Sequence, residues 1–148
     1  MPLFFEDFVE GEVRLTHGRT LTEADVVNFA GLSGDYNPAH TDHFASAAGP
    51  FGAPIAHGLL ALVASAGLAD RDGSLDGTAI ALLGVEWRFL KPVYFGDTIR
   101  LRVTLVSKRR TSKPDRGVIV RAAAVINQRD EIVQEGKFTT MVKTKLKP

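Results

Sequence analysis

The 148 residues carry a formal net charge of +1 and a hydrophobic fraction of 45%, with no cysteine. That length fits one domain spanning 1–148, and the apolar fraction supports a packed core. Without cysteine there are no disulfides, thiolate metal sites or thiol nucleophile, and the near-zero charge argues against a nucleic-acid partner.

The start, Met1-Pro2-Leu3-Phe4-Phe5-Glu6-Asp7, lacks the basic residues and long apolar run of a signal peptide. The longest apolar stretch, Leu59 to Ala64, is far too short to span a membrane. A cytoplasmic protein without membrane association is the expectation.

Phe5 to Thr20 is a mixed opening in which Val13 to Thr16 alternates as a short strand. Thr22, with Asp25 three residues on, predicts a helix start with a weaker form of the capping box. Val26, Phe29, Ala30 and Leu32 then supply its apolar face. Ser33-Gly34-Asp35 ends it, Asp42 to Ala48 reads as a short helical turn, and Gly49 to Pro54 as a loop. His57 to Asp70 is apolar in every direction, which predicts a buried helix, and Gly67 predicts a close neighbour.

The remainder is β-rich. Ile80 to Leu90 places Val85, Trp87 and Phe89 on one face and Glu86 and Arg88 on the other. Thr98 to Ser107 alternates, Val118 to Asn127 is apolar on both faces as a central strand would be, Gln128 to Glu131 is a turn, and Ile132 to Val142 is the last strand. One buried helix followed by an antiparallel meander predicts an α+β architecture, a sheet wrapped around a helix. Lys143, Lys145 and Lys147 read as a frayed, solvated tail.

Two motifs carry chemistry. Asp35-Tyr36-Asn37-Pro38-Ala39-His40 sets a carboxylate and an imidazole around an Asn-Pro turn, which can bring both to one cavity. Such a pair, held against one water, can take a proton from it and return one to carbon. Pro54-Ile55-Ala56-His57-Gly58 ends just before the apolar helix, whose N-terminal N–H groups suit a polarised carbonyl oxygen. Base, acid and oxyanion donor are the parts needed to add water across an α,β-unsaturated thioester. The first motif taken alone reads as no more than a turn. His40-Thr41-Asp42-His43 lacks the convergent spacing of a zinc site, so no metal is expected. His57 reads equally as a structural histidine, and Ser65 lacks a nucleophile-elbow context.

With Trp87-Arg88-Phe89-Leu90-Lys91-Pro92-Val93-Tyr94-Phe95-Gly96-Asp97-Thr98 as a third block, the chain resembles the MaoC-like dehydratases of the hot-dog fold, which include the R-specific enoyl-CoA hydratases. The resemblance implies an antiparallel sheet around a long central helix, two chains pairing their sheets into a homodimer, and an acyl-CoA thioester substrate with no cofactor beyond its own coenzyme A. It implies Asp35 and His40 as the catalytic pair, the Gly58 N–H as oxyanion donor, and Asn37 and His57 as residues that shape the substrate site. One departure is visible: where several such hydratases carry a serine eight residues after the oxyanion glycine, this chain has Ala66, with Ser65 beside it.

Lys108-Arg109-Arg110, with Lys113 and Arg116, forms a basic cluster in what reads as a hairpin loop. A solvated loop is the default reading; Arg109 and Arg110 are also candidates to bind the phosphates of coenzyme A. The sequence reading is thus a hydratase interconverting trans-2-enoyl-CoA and (R)-3-hydroxyacyl-CoA. Its rivals are a thioesterase on the same fold and a non-catalytic acyl-CoA binding module.

Overall fold

A computed structural model describes residues 1–146, so Lys147 of the basic tail lies outside the described residues. Two short strands open the chain, β1 (Val13–Leu15) and β2 (Arg19–Thr20). Three helices follow, α1 (Glu23–Ser33), α2 (Pro38–Thr41) and α3 (His43–Ala47), and then the long α4 (Gly58–Asp70). Four long strands complete the fold, β3 (Ala79–Phe89), β4 (Thr98–Arg110), β5 (Arg116–Ile126) and β6 (Ile132–Lys143). The sheet is antiparallel in the order β1-β4-β5-β6-β3, with β2 also against β4. The expected hot-dog architecture, α4 cradled by the sheet, is the one observed.

The period-2 pattern of β4 is why α4 packs where it does. Ile99, Leu101, Val103 and Leu105 are all buried, and the first three join Leu60, Ala61, Ala64 and Leu68 of α4 in one core. Each such leucine contributes about 1.5–3 kcal/mol by leaving water. Ser65 is buried within the helix and donates to the Ala61 carbonyl at 2.7 Å, so it is not a nucleophile.

The capping box of α1 is complete: Thr22 Oγ1 accepts from the Asp25 N–H at 3.2 Å, and Asp25 Oδ2 accepts from the Thr22 N–H at 2.9 Å. Gly34, at φ 78°, ends the helix in the left-handed conformation that glycine adopts without strain.

Four expectations are corrected. Leu32 is 85% exposed, because six residues on from Val26 it falls on the far side of α1. Helix α4 is not buried all round: Leu59 and Val63 are exposed, and no atom approaches the Cβ position of Gly67. Within one chain the sheet covers only part of the helix surface. Lys108-Arg109-Arg110 is strand rather than loop, since β4 runs through to Arg110. The C-terminal lysines are not frayed up to residue 145: Lys143 Nζ donates to the Gly77 carbonyl at 2.8 Å, and the Lys145 N–H donates to Glu6 at 2.9 Å while its ammonium pairs with Asp7.

Candidate active site

The Asn-Pro turn is built by two side-chain bonds. Asp35 Oδ1 accepts from the Asn37 N–H at 3.1 Å, and Asn37 Oδ1 accepts from the Ala39 N–H at 3.0 Å, capping α2. Pro38 occupies the first helical position, where no N–H is needed. Asn37, expected to shape the substrate site, spends its carbonyl oxygen on this cap, at the start of the helix that carries His40.

His40 Nδ1 lies 2.7 Å from the Ile55 carbonyl oxygen. A carbonyl only accepts, so Nδ1 carries a proton and Nε2 is the nitrogen left to face Asp35. That nitrogen sits 3.9 Å from Asp35 Oδ2. The gap is too long for a direct hydrogen bond and suits one water held by both. The Asp35 side chain is 52% exposed and that of His40 14%, so the pair meets solvent from the carboxylate side.

His57 is 2% exposed and packs its ring on His40, centroids 3.9 Å apart. Its Nε2 donates to the Asp35 carbonyl at 2.9 Å, tying the start of α4 to the acidic turn. Among the described residues, Asp35, His40 and His57 are the group whose ligand atoms converge within 4.8 Å. It fits a metal poorly, because His57 Nε2 is committed to a carbonyl, leaving one imidazole nitrogen and one carboxylate where structural and catalytic zinc take three or four protein ligands.

Gly58 opens α4, so its N–H falls outside the intrahelical ladder at the positive end of the helix. A Cβ there would lie 2.9 Å from the Phe89 ring, so only glycine fits beneath Phe89. Gln134 is 1% exposed and fixes this corner: it donates to the Gly58 carbonyl at 3.1 Å and accepts from Trp87 Nε1 at 2.9 Å. Sequence reasoning missed Gln134, Phe89 and Ile55. A polar residue at an inward position of an apolar strand was the available signal for Gln134; nothing local marked Ile55, which acts through its backbone.

Arg109 and Arg110 are not brought to this site within the chain. Gln134 at the Gly58 end pairs with Val125, and Val125 with Leu101. Arg109 lies eight residues further along β4, about 26 Å at the strand rise. There Arg110 pairs with Glu6 at 3.2 Å and stands over the Phe5 ring.

Known proteins resemble this chain in sequence and fold. Residues 5–126 match the family described as "MaoC like domain". "Protein MaoC" of Klebsiella aerogenes is 45% identical over 127 residues, 85% of this chain; the chain spans only 37% of that relative's length. An "(R)-specific enoyl-CoA hydratase" of Rhodospirillum rubrum is 33% identical over 140 residues, 94% of this chain and 91% of that protein. Among solved structures, a "Monoamine oxidase regulatory protein" from Archaeoglobus fulgius superposes with a TM-score of 0.91 at 34% identity, covering 98% of this chain and 97% of that one. With residues 5–126 matching the family and a shared hot-dog fold, the chain belongs to the MaoC-like dehydratases, a family of hydro-lyases.

Proposed function

We propose that this protein hydrates trans-2-enoyl-CoA to (R)-3-hydroxyacyl-CoA and catalyses the reverse dehydration, using Asp35 and His40 as its proton-transfer pair. The observation that carries the reading is the 3.9 Å separation of Asp35 Oδ2 from His40 Nε2, at the start of a helix whose first N–H is free of the ladder. Asp35 takes a proton from the shared water as its hydroxyl adds to the β-carbon. Protonated His40 gives its Nε2 proton to the α-carbon, and the proton on Asp35 passes back to His40 through the next water. The two groups act as one proton-transfer unit. In the intermediate, charge gathers on the thioester oxygen, where the Gly58 N–H stabilises it.

A thioesterase needs only a carboxylate to aim water at the carbonyl. A histidine with Nδ1 held by the Ile55 carbonyl and Nε2 turned to that carboxylate favours hydration over that rival. The active unit in this reading is a homodimer. Edge strand β3 leaves Ile80, Leu82, Val85 and Phe89 exposed, and Leu59 and Val63 of α4 are also exposed. An exposed apolar edge of this kind calls for a second copy across a two-fold axis.

The deciding experiment follows the loss of enoyl-thioester absorbance when purified protein meets crotonyl-CoA and longer enoyl-CoA esters. Absorbance that stays constant for every ester refutes the hydratase reading. Release of free coenzyme A thiol instead moves the assignment to the thioesterase.

A further inference from the structure

Residues of α4 and β3 meet at two places. Phe89 covers Gly58 at one end, and two turns further along α4 a cavity of about 320 Å³ opens between the helix and the start of β3. Ala66 and Ala69 form its helix wall. Ala66 is eight residues from Gly58, about 12 Å along the axis. The catalytic function does not account for the polar groups set into this otherwise apolar space.

Arg121 lines the cavity and is 7% exposed. One guanidinium nitrogen, Nη1, meets Asp70 at 3.3 Å, and Asp70 is itself about half exposed. Nε is buried with no hydrogen-bond partner among the described residues. Thr140 also lines the cavity, is 4% exposed, and its Oγ1 likewise lacks a partner. Arg121 sits opposite Phe138 in the β5–β6 ladder, and Thr140 is two residues beyond Phe138 on the same face. Two residues that border one cavity thus each hold a buried polar atom without a partner, Nε of Arg121 and Oγ1 of Thr140. Buried polar groups in native proteins are nearly always hydrogen-bonded, and an orphaned pair calls for an explanation. Had the cavity evolved for a plain alkyl chain, apolar residues at both positions would serve it better.

We infer that this cavity receives the far end of the acyl group, and that Arg121 and Thr140 select an enoyl-CoA whose chain terminates in a carboxylate. The inference rests on the hydratase reading above. A carboxylate fits the requirement because it only accepts: the Nε edge of the guanidinium and the Thr140 hydroxyl supply donors to it, and the planar fork of arginine matches its two oxygens. Asp70 holds the opposite edge through Nη1 and aims the fork. The distance along α4 calls for a chain of medium length.

The test compares trans-2-octenoyl-CoA with the same ester bearing a terminal carboxylate, and repeats the pair with the hexenoyl and decenoyl analogues. Hydrogen bonds to charged groups correspond to a preference of roughly 10- to 100-fold in kcat/KM for the carboxylated ester at the best chain length. Arg121→Met abolishes or inverts that preference while leaving turnover of the plain ester within a few-fold, and Arg121→Lys keeps part of it. Equal kcat/KM for both members of every pair in the wild type overturns the inference, as does an unchanged preference in folded Arg121→Met. If Arg121→Met does not fold, the wild-type ratio decides alone. Calorimetric binding of the saturated octanoyl ester and its ω-carboxylated counterpart separates this inference from the hydratase reading. A protein that hydrates nothing yet binds the ω-carboxylated ester more tightly retains the Arg121 subsite and loses only the reaction.

Discussion

The rings of His40 and His57 are stacked, with centroids 3.9 Å apart and planes inclined at 28°. One ring carries the reactive nitrogen and the other holds it in place. His57 touches the turn twice, by this stack and by its bond to the Asp35 carbonyl. Replacing His57 with Phe keeps an aromatic face and removes the bond. A neutral hydrogen bond is worth about 0.5–1.5 kcal/mol, so kcat should fall by up to roughly ten-fold with KM little changed. A rise in KM at constant kcat would assign His57 to substrate binding instead.

Asp35→Asn and His40→Gln keep the shape of the turn and remove one proton carrier each. General acid–base catalysis contributes on the order of 10²–10⁴-fold, and each variant should lose hydration on that scale. Because the two groups act as a unit, the double variant should be little worse than either single one. A well-folded Asp35→Asn protein with near wild-type rates would falsify the pair.

The helix start needs a compound test. Proline is tolerated by the backbone at the first helical position and deletes the N–H outright, but Gly58→Pro adds a Cβ just as Gly58→Ala does. A Cβ at residue 58 meets Phe89, so Gly58→Ala is not a neutral control. In a Phe89→Ala background the clash is relieved, and alanine and proline then differ mainly in the donor. Loss of one oxyanion donor costs about 10²–10³ in turnover. Equal rates for the two variants in that background, with circular dichroism showing both folded, move the oxyanion role to another group.

Light scattering addresses the exposed edge. Wild type should scatter as twice the 16.0 kDa chain or a multiple of it. Leu82→Lys, with a charge at an outer position of β3, should shift the population to single chains and reduce activity. A fully active single chain refutes a site that depends on pairing.

A surface carboxylate gives an acid signature. Glu131, in the β5–β6 turn, has its pKa lowered from 4.5 to about 2 by hydrogen bonds from Asn127, Lys91 and Arg129. A carboxyl lowered on folding stabilises the fold above its unfolded value, and that contribution disappears as pH falls from about 4.5 through about 2. The group lies at the surface, so salt screens the effect and keeps it small. Melting temperatures across this window should fall less steeply in Glu131→Gln than in wild type. Parallel curves would show that the three contacts are not maintained in solution.

What could be read from the sequence was local or periodic. The Ile99-Leu101-Val103-Leu105 alternation and the apolar run of α4 specify a helix on a sheet, and the Asn37-Pro38 turn joins Asp35 to His40 over five residues. What escaped depends on distant strands or a second chain. Arg121 sits in a β5 run apolar on both faces, and its burial beneath α4 follows from the sheet's curvature. Leu59 and Val63 read as core because the composition of a helix does not say which face its own chain leaves open. Arg109 and Arg110 were placed by charge alone, and strand length sets them about 26 Å from the Gly58 corner of their own chain.

The Ile55 carbonyl that holds His40 belongs to a residue hydrogen-bonded to Ala39 at 3.0 Å and bridged to Tyr94. The Tyr94 N–H is held in turn by the buried Asp97 carboxylate at 2.9 Å. Phe95-Gly96-Asp97-Thr98 is thus a foundation on which the reactive imidazole stands, three contacts removed from any substrate. Amide hydrogens at Ile55, Ala56, Tyr94 and Asp97 should therefore exchange with solvent as one cooperative unit. A substitution at Asp97 would appear in kinetics as a damaged His40, with no reacting atom anywhere near it.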